Sequence, residues 1–139
     1  MTTLESLYEE ALADGIAVTN FPMPQTVAAA VEIDGKYYVA IDKTRLENSI
    51  EEAECLAHEL GHCHTMSFYR PGERNRTRLE KRAEEWAILR LIPPKRFYHA
   101  LKKGCREVWE LAEELGTSYR FAEKVAHYYQ RKLYPNAIT

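Results

Sequence analysis

Two histidines four residues apart, in the stretch Ala57-His58-Glu59-Leu60-Gly61-His62, constrain this chain more than any other feature of it. On an α-helix that spacing projects both imidazoles from one face, where they can share one divalent ion while the helix fixes their geometry. Glu59, beside the first histidine, can then reach a water activated at the ion and act as general base. The pattern asks the fold for a helix here, a third ligand from another element, and a core to hold both.

The flanking sequence supplies that helix. Ser49-Ile50-Glu51-Glu52 fits a capping box, and Ile50, Ala53, Leu56, Ala57 and Leu60 form an apolar stripe running to about Met66. Gly61 inside it costs roughly 1 kcal/mol relative to alanine, a cost acceptable where a neighbouring element comes close. Upstream, residues 4–14 carry apolar side chains at helical spacing, Ile16-Ala17-Val18 reads as a short strand, and the proline-rich run from Asn20 to Pro24 reads as a loop. Val27–Ile33 and Lys36–Ile41 then read as strands joined at Asp34-Gly35, a tight hairpin signal. With no helix between them to make a crossover, the expected sheet is small and antiparallel.

Downstream the expectation is helical. Helices are predicted from about Arg74 to Leu91, with Leu79, Ala83, Trp86, Ala87 and Leu91 inward, and from Pro94 to Gly104. Two more follow: residues 106–115, ended by Gly116, and a last helix capped by Thr117 or Ser118 and running to about Tyr134. The predicted class is α+β: a single, mostly helical domain over residues 1–139, zincin-like, with the two-histidine motif on a central helix.

A length of 139 residues suits one core. The net charge of -2 gives no overall pull toward nucleic acid. No apolar run is long enough to span a bilayer and the N-terminus lacks a signal-peptide pattern, so the expected location is the cytoplasm. Three cysteines (Cys55, Cys63 and Cys105), an odd count, read as reduced, partly buried thiols.

The third ligand is sought on the helix after the motif, folded back across a short loop. There Glu80 and Glu84 share a face, four residues apart, with Ala83 thinning the contact between helices. Glu80 is a candidate ligand, and Glu84 a candidate to fix a histidine tautomer or to replace Glu80 at the metal. His64, His99 and His127 read as bystanders. The ligand set suits Zn²⁺ best, with manganese and iron as chemical alternatives.

These blocks resemble the ImmA/IrrE metallopeptidase-like family. An N-terminal helix, a hairpin and the two-histidine block are followed by Glu80-x-x-Ala83-Glu84-x-Trp86-Ala87 and Leu91-Ile92-Pro93. The likeness spans about residues 4–134, and the order and separation of the two blocks make it specific. It implies that His58, His62 and Glu80 are the metal ligands and Glu59 the catalytic glutamate; Glu84 stands where the family usually has Asn or Asp. It also implies a zinc endopeptidase acting as an anti-repressor of a prophage or mobile element, with a helix-turn-helix transcriptional repressor as partner and substrate.

An extended substrate would add to a sheet edge, with Lys36–Ile41 the favoured strand. Tyr69, Tyr98 or another tyrosine is available to the oxyanion, and the sequence does not choose among them. A different class of function is a non-catalytic regulatory or binding module that keeps a structural metal. The tail, residues 105–134, also reads like a helix-turn-helix with Arg120, Lys124, Arg131 and Lys132 near its second helix. Its aromatic residues and the acidic pair Glu113-Glu114 assign it to core packing rather than to DNA.

Overall fold

Asp34 and Gly35 take positive φ values of 52° and 79°, the left-handed pair that a two-residue hairpin requires. They join β2 (Ala28–Ile33) to β3 (Lys36–Ile41) in the expected antiparallel register, with Val31 opposite Tyr38 and Ala28 opposite Ile41. Val39 and Ile41 are buried on one face, while Val31 and Ile33 remain exposed.

The expectation of an antiparallel sheet holds only for this hairpin. β1 (Ala17–Asn20) pairs parallel with β3, Ala17 opposite Tyr38, so the strand order is β1-β3-β2 and the sheet is mixed. No crossover helix is needed, because the chain reverses twice between β1 and β3: once in the loop after β1 and once at the hairpin. That loop is tied down by residues that directly follow β3, at the same end of the sheet. Asp42 accepts hydrogen bonds from the Met23 and Thr44 backbone N–H groups at 2.9 and 3.1 Å, and Arg45 donates to the Met23 and Thr26 carbonyls at 2.6 and 3.0 Å. The topology also corrects the substrate-edge expectation. β3 is the central strand, with both sides occupied, and the free edges belong to β1 and β2.

The computed structural model describes residues 1–139. They divide into two compact units, Met1–Ala87 and Ile88–Thr139. In the first, α1 (Thr3–Ala13) is capped by Thr2 and buries Leu7 and Ala11. α2 (Ser49–Thr65) packs on α1 and on the sheet, mainly on β2. Its N-cap is Asn48, whose side chain accepts from Glu51 N–H at 2.9 Å, and not Ser49, which begins the helix. Ala53, Leu56, Ala57 and Leu60 are buried as expected, but Ile50, in the first turn, is 41% exposed. α3 (Arg76–Leu91) buries Ala83, Ala87, Ile88 and Leu91.

The second unit holds α4 (Pro94–Lys102), α5 (Val108–Leu115) and α6 (Tyr119–Lys132); Phe97 of α4 is buried, and its ring stacks on Tyr129 of α6 at 4.7 Å. The Tyr129 hydroxyl donates to the Ile92 carbonyl at 2.5 Å. Ser118 caps α6, which buries Phe121, Ala122, Val125, Ala126 and Tyr129. The class is α+β, dominated by helix. No helix is long and apolar enough to cross a membrane.

Candidate metal centre

Gly61 brings the two site-bearing helices together. A Cβ placed there would overlap the Ala83 carbonyl oxygen and lie 3.0 Å from the Ala83 Cα, so α2 and α3 meet backbone to backbone. Helix axes normally stand apart by the depth of interleaved side chains. A glycine facing an alanine removes that depth, and Glu80, three residues before Ala83, can reach across to the histidines.

The ligand atoms of His58, His62 and Glu80 all lie within 4.8 Å of one another. His58 Nε2 is 2.7 Å from Glu80 Oε2, and His62 Nε2 is 3.4 Å from Oε1 of the same carboxylate. His62 is buried and His58 is partly open. His62 Nδ1 lies 2.7 Å from the Ser67 carbonyl oxygen. A carbonyl can only accept, so Nδ1 carries a proton, which leaves Nε2 as the nitrogen turned toward Glu80. Two lone-pair donors aimed at one point are reconciled only by a cation between them, a proton or a metal ion. Two imidazoles and one carboxylate are a donor set that fits zinc as three protein ligands.

Burial pushes the Glu80 carboxyl up, but hydrogen bonds from Tyr69 and His58 and the charges of His58 and His62 together outweigh it. The result is a pKa below the usual carboxylate range. Glu59 is the contrast. It is 8% exposed, and burial first, with the Glu80 charge second, raises its pKa to about 8. Two carboxyls in one pocket are thus pushed in opposite directions, as expected of a ligand and a proton carrier.

Glu84 stands one turn beyond Glu80, half-buried, and is not among the convergent ligand atoms. For His62 the far-nitrogen contact is made by the Ser67 carbonyl. Tyr69 was one of several tyrosines without a reason to prefer it; its hydroxyl donates to Glu80 Oε1 at 2.5 Å. Tyr98 lies in the other unit, near Tyr134. Neither Ser67 nor Tyr69 shows any periodicity, and both sit in the loop between helices. A polar residue directly after a ligand-bearing helix is the only signal that could have found them.

The remaining candidates are set apart from this cluster. His64 faces α1, pairs with Asp14 at 3.1 Å and stacks flat on Trp86 at 4.6 Å. Glu10 comes within the same reach, but exposed pairs of this kind form without a metal. All three cysteines are free thiols. Burial first, with nearby glutamates, lifts Cys55 to about 12 and Cys63 to about 11, which leaves both protonated and inert. Arg120, Lys124, Arg131 and Lys132 lie on the exposed side of α6, while its aromatic side is packed. Neither a family model nor a curated protein matches the chain.

Proposed function

We propose that this protein is a zinc-dependent endopeptidase of the ImmA/IrrE metallopeptidase-like type, with a zincin-like site. Its substrate in this reading is a helix-turn-helix transcriptional repressor, which makes it the anti-repressor of a prophage or mobile element in the cytoplasm. The observation that carries the reading is the convergence of His58 Nε2, His62 Nε2 and the Glu80 carboxylate, with buried Glu59 adjoining the first histidine on the same helix. The resemblance of the two sequence blocks supplies the substrate class.

A zinc ion held by His58, His62 and Glu80 supplies Lewis acidity, acidifying a water and polarising the scissile carbonyl. The protein does the rest. Glu59 accepts the proton of the attacking water and passes it to the leaving amine. Its raised pKa suits that exchange, since a group titrating near neutrality both takes and gives a proton readily. A divalent ion held at the histidines would favour the ionised form of Glu59, the form that accepts the proton. His62 is held in the ligating tautomer by Ser67, so the ring needs no rearrangement. An extended substrate segment would add to the outer edge of β2, the free-edged strand on which α2 mainly packs.

The test uses purified wild type, His58→Ala and Glu59→Gln with any helix-turn-helix repressor found encoded beside the gene. Bound zinc is measured by atomic absorption and cleavage by gel. Glu59→Gln should keep zinc and lose at least about a hundredfold in cleavage rate; His58→Ala should lose both. A wild type without a stoichiometric divalent metal, or a Glu59→Gln variant that cleaves normally, refutes the enzyme reading. A chain that holds zinc and binds the repressor uncut would instead be a regulatory module with a structural metal.

A further inference from the structure

Three consecutive residues after α2, Ser67 to Tyr69, touch two of the three candidate ligands and the sheet. Met66, with φ of 53°, turns the chain out of the helix. The Ser67 carbonyl then accepts from His62 Nδ1 at 2.7 Å, and the Tyr69 hydroxyl donates to Glu80 Oε1 at 2.5 Å. Between them Phe68 stacks on Tyr37 of β3, with ring centroids 5.6 Å apart and planes at 19°. From the start of α3, the Arg76 guanidinium lies 5.4 Å over the Tyr69 ring. The phenol is therefore fixed by its sequence neighbour on the sheet and by a cation on its face.

This geometry bears on how Glu80 can coordinate. A carboxylate offers an ion one oxygen or two. Two from Glu80 would fill the position that a three-ligand site must keep open for water and substrate. Tyr69 donates to Oε1, which His62 Nε2 also approaches at 3.4 Å, whereas Oε2 faces His58 Nε2 at 2.7 Å; the phenol's hydrogen bond draws charge from Oε1 and leaves Oε2 the stronger donor.

We propose that Tyr69 is a positioning residue that restricts Glu80 to one-oxygen coordination and so keeps the fourth metal position open, with Arg76 and the Phe68–Tyr37 stack holding the phenol in place. The inference rests on the metal reading above and adds to it a residue that touches neither ion nor substrate.

The experiment uses the full chain as wild type, Tyr69→Phe and Arg76→Gln, each stripped of metal by dialysis against chelator. Zinc affinity is read by competition with a chromophoric chelator, coordination by the visible absorption of the Co²⁺-loaded proteins, and folding by thermal melts of the metal-free proteins. Tyr69→Phe should bind zinc about 10- to 100-fold more weakly, the range for losing a partner of a metal ligand. Its Co²⁺ bands should lose intensity as a second Glu80 oxygen raises the coordination number, while the metal-free melt stays close to wild type. Arg76→Gln should shift both readouts in the same direction by less, and it serves alone if Tyr69→Phe does not fold. Wild-type affinity together with a superimposable Co²⁺ spectrum in the folded variants overturns the proposal. A wild-type chain that binds neither ion removes the metal reading, and this inference with it.

Discussion

Replacing Gly61 with alanine sets two effects of opposite sign against each other. In an isolated helix the change would stabilise α2 by about 1 kcal/mol. Here the added methyl lies 3.0 Å from the Ala83 Cα, 3.1 Å from its carbonyl carbon and overlaps its carbonyl oxygen. All three are backbone atoms, so no side chain can rotate to make room. Carbon atoms sit comfortably at roughly 3.5–4.0 Å, which requires α3 to recede by about 0.5–1 Å. Overpacking of this kind costs about 1–3 kcal/mol, leaving a net destabilisation of about 1 kcal/mol after the propensity gain.

The larger consequence falls on the metal. Glu80 is on the same rigid helix as Ala83 and moves with it, whereas coordination distances tolerate only about 0.2 Å. We expect Gly61→Ala to lower the melting temperature of the metal-free protein by a few degrees and to weaken zinc binding at least about tenfold. Scanning calorimetry and chelator competition measure the two. A variant that melts above wild type and binds zinc unchanged would show that the backbones do not meet at this point.

Three further outcomes follow from other parts of the structure. Burial first, then the Glu80 charge, raises the folded pKa of Glu59 to about 8 from the ordinary 4.5. The folded state therefore holds its proton more tightly, and the stability from this group is full below about pH 4.5 and lost as pH rises to about 8. Metal-free wild type should lose on the order of 3 kcal/mol between pH 5.5 and 7.5 relative to Glu59→Gln, and parallel pH profiles in urea melts would contradict this. Asn48→Ala should cost about 1 kcal/mol and Ser49→Ala less than about 0.5 kcal/mol; the reverse order in denaturant titrations would return the cap of α2 to Ser49. Zinc at a hundred times its dissociation constant should stabilise wild type by about 2.7 kcal/mol and leave His58→Ala unmoved, a difference visible as a melting shift.

Local chemistry was readable from the sequence where one or two residues decide a conformation. Asp34-Gly35 announced its turn, Pro94 opened α4, and the two histidines sit on a helix with the face their spacing required. Gly61 was legible as a packing glycine and Ala83 as the residue that thins the contact between the helices; that the two face each other was not. The errors came where neighbouring options differ by little or where distant segments decide. Asn48 and Ser49 are adjacent cappers, and a shift of one residue moved the cap and left Ile50 in an exposed first turn. The pairing of β1 with β3 depends on a loop pinned by Asp42 and Arg45, residues whose side-chain targets no periodicity predicts. The same holds for Ser67 and Tyr69, which make contacts as individuals rather than as members of a repeating face. The choice of Glu80 over Glu84 turned on the rotation of α3 about its axis, which the contact at Gly61 sets.

Every group that converges on the candidate ion comes from one short helical hairpin, with His58 and Glu80 separated by 22 residues. Closing so small a loop costs little chain entropy, and contacts this local are among the first a polypeptide can make. Metal capture need not wait for the sheet or the second unit. If the site takes zinc as proposed, the ion would bias a newly made chain toward the α2–α3 contact, and the yield of folded protein would then follow zinc supply during synthesis.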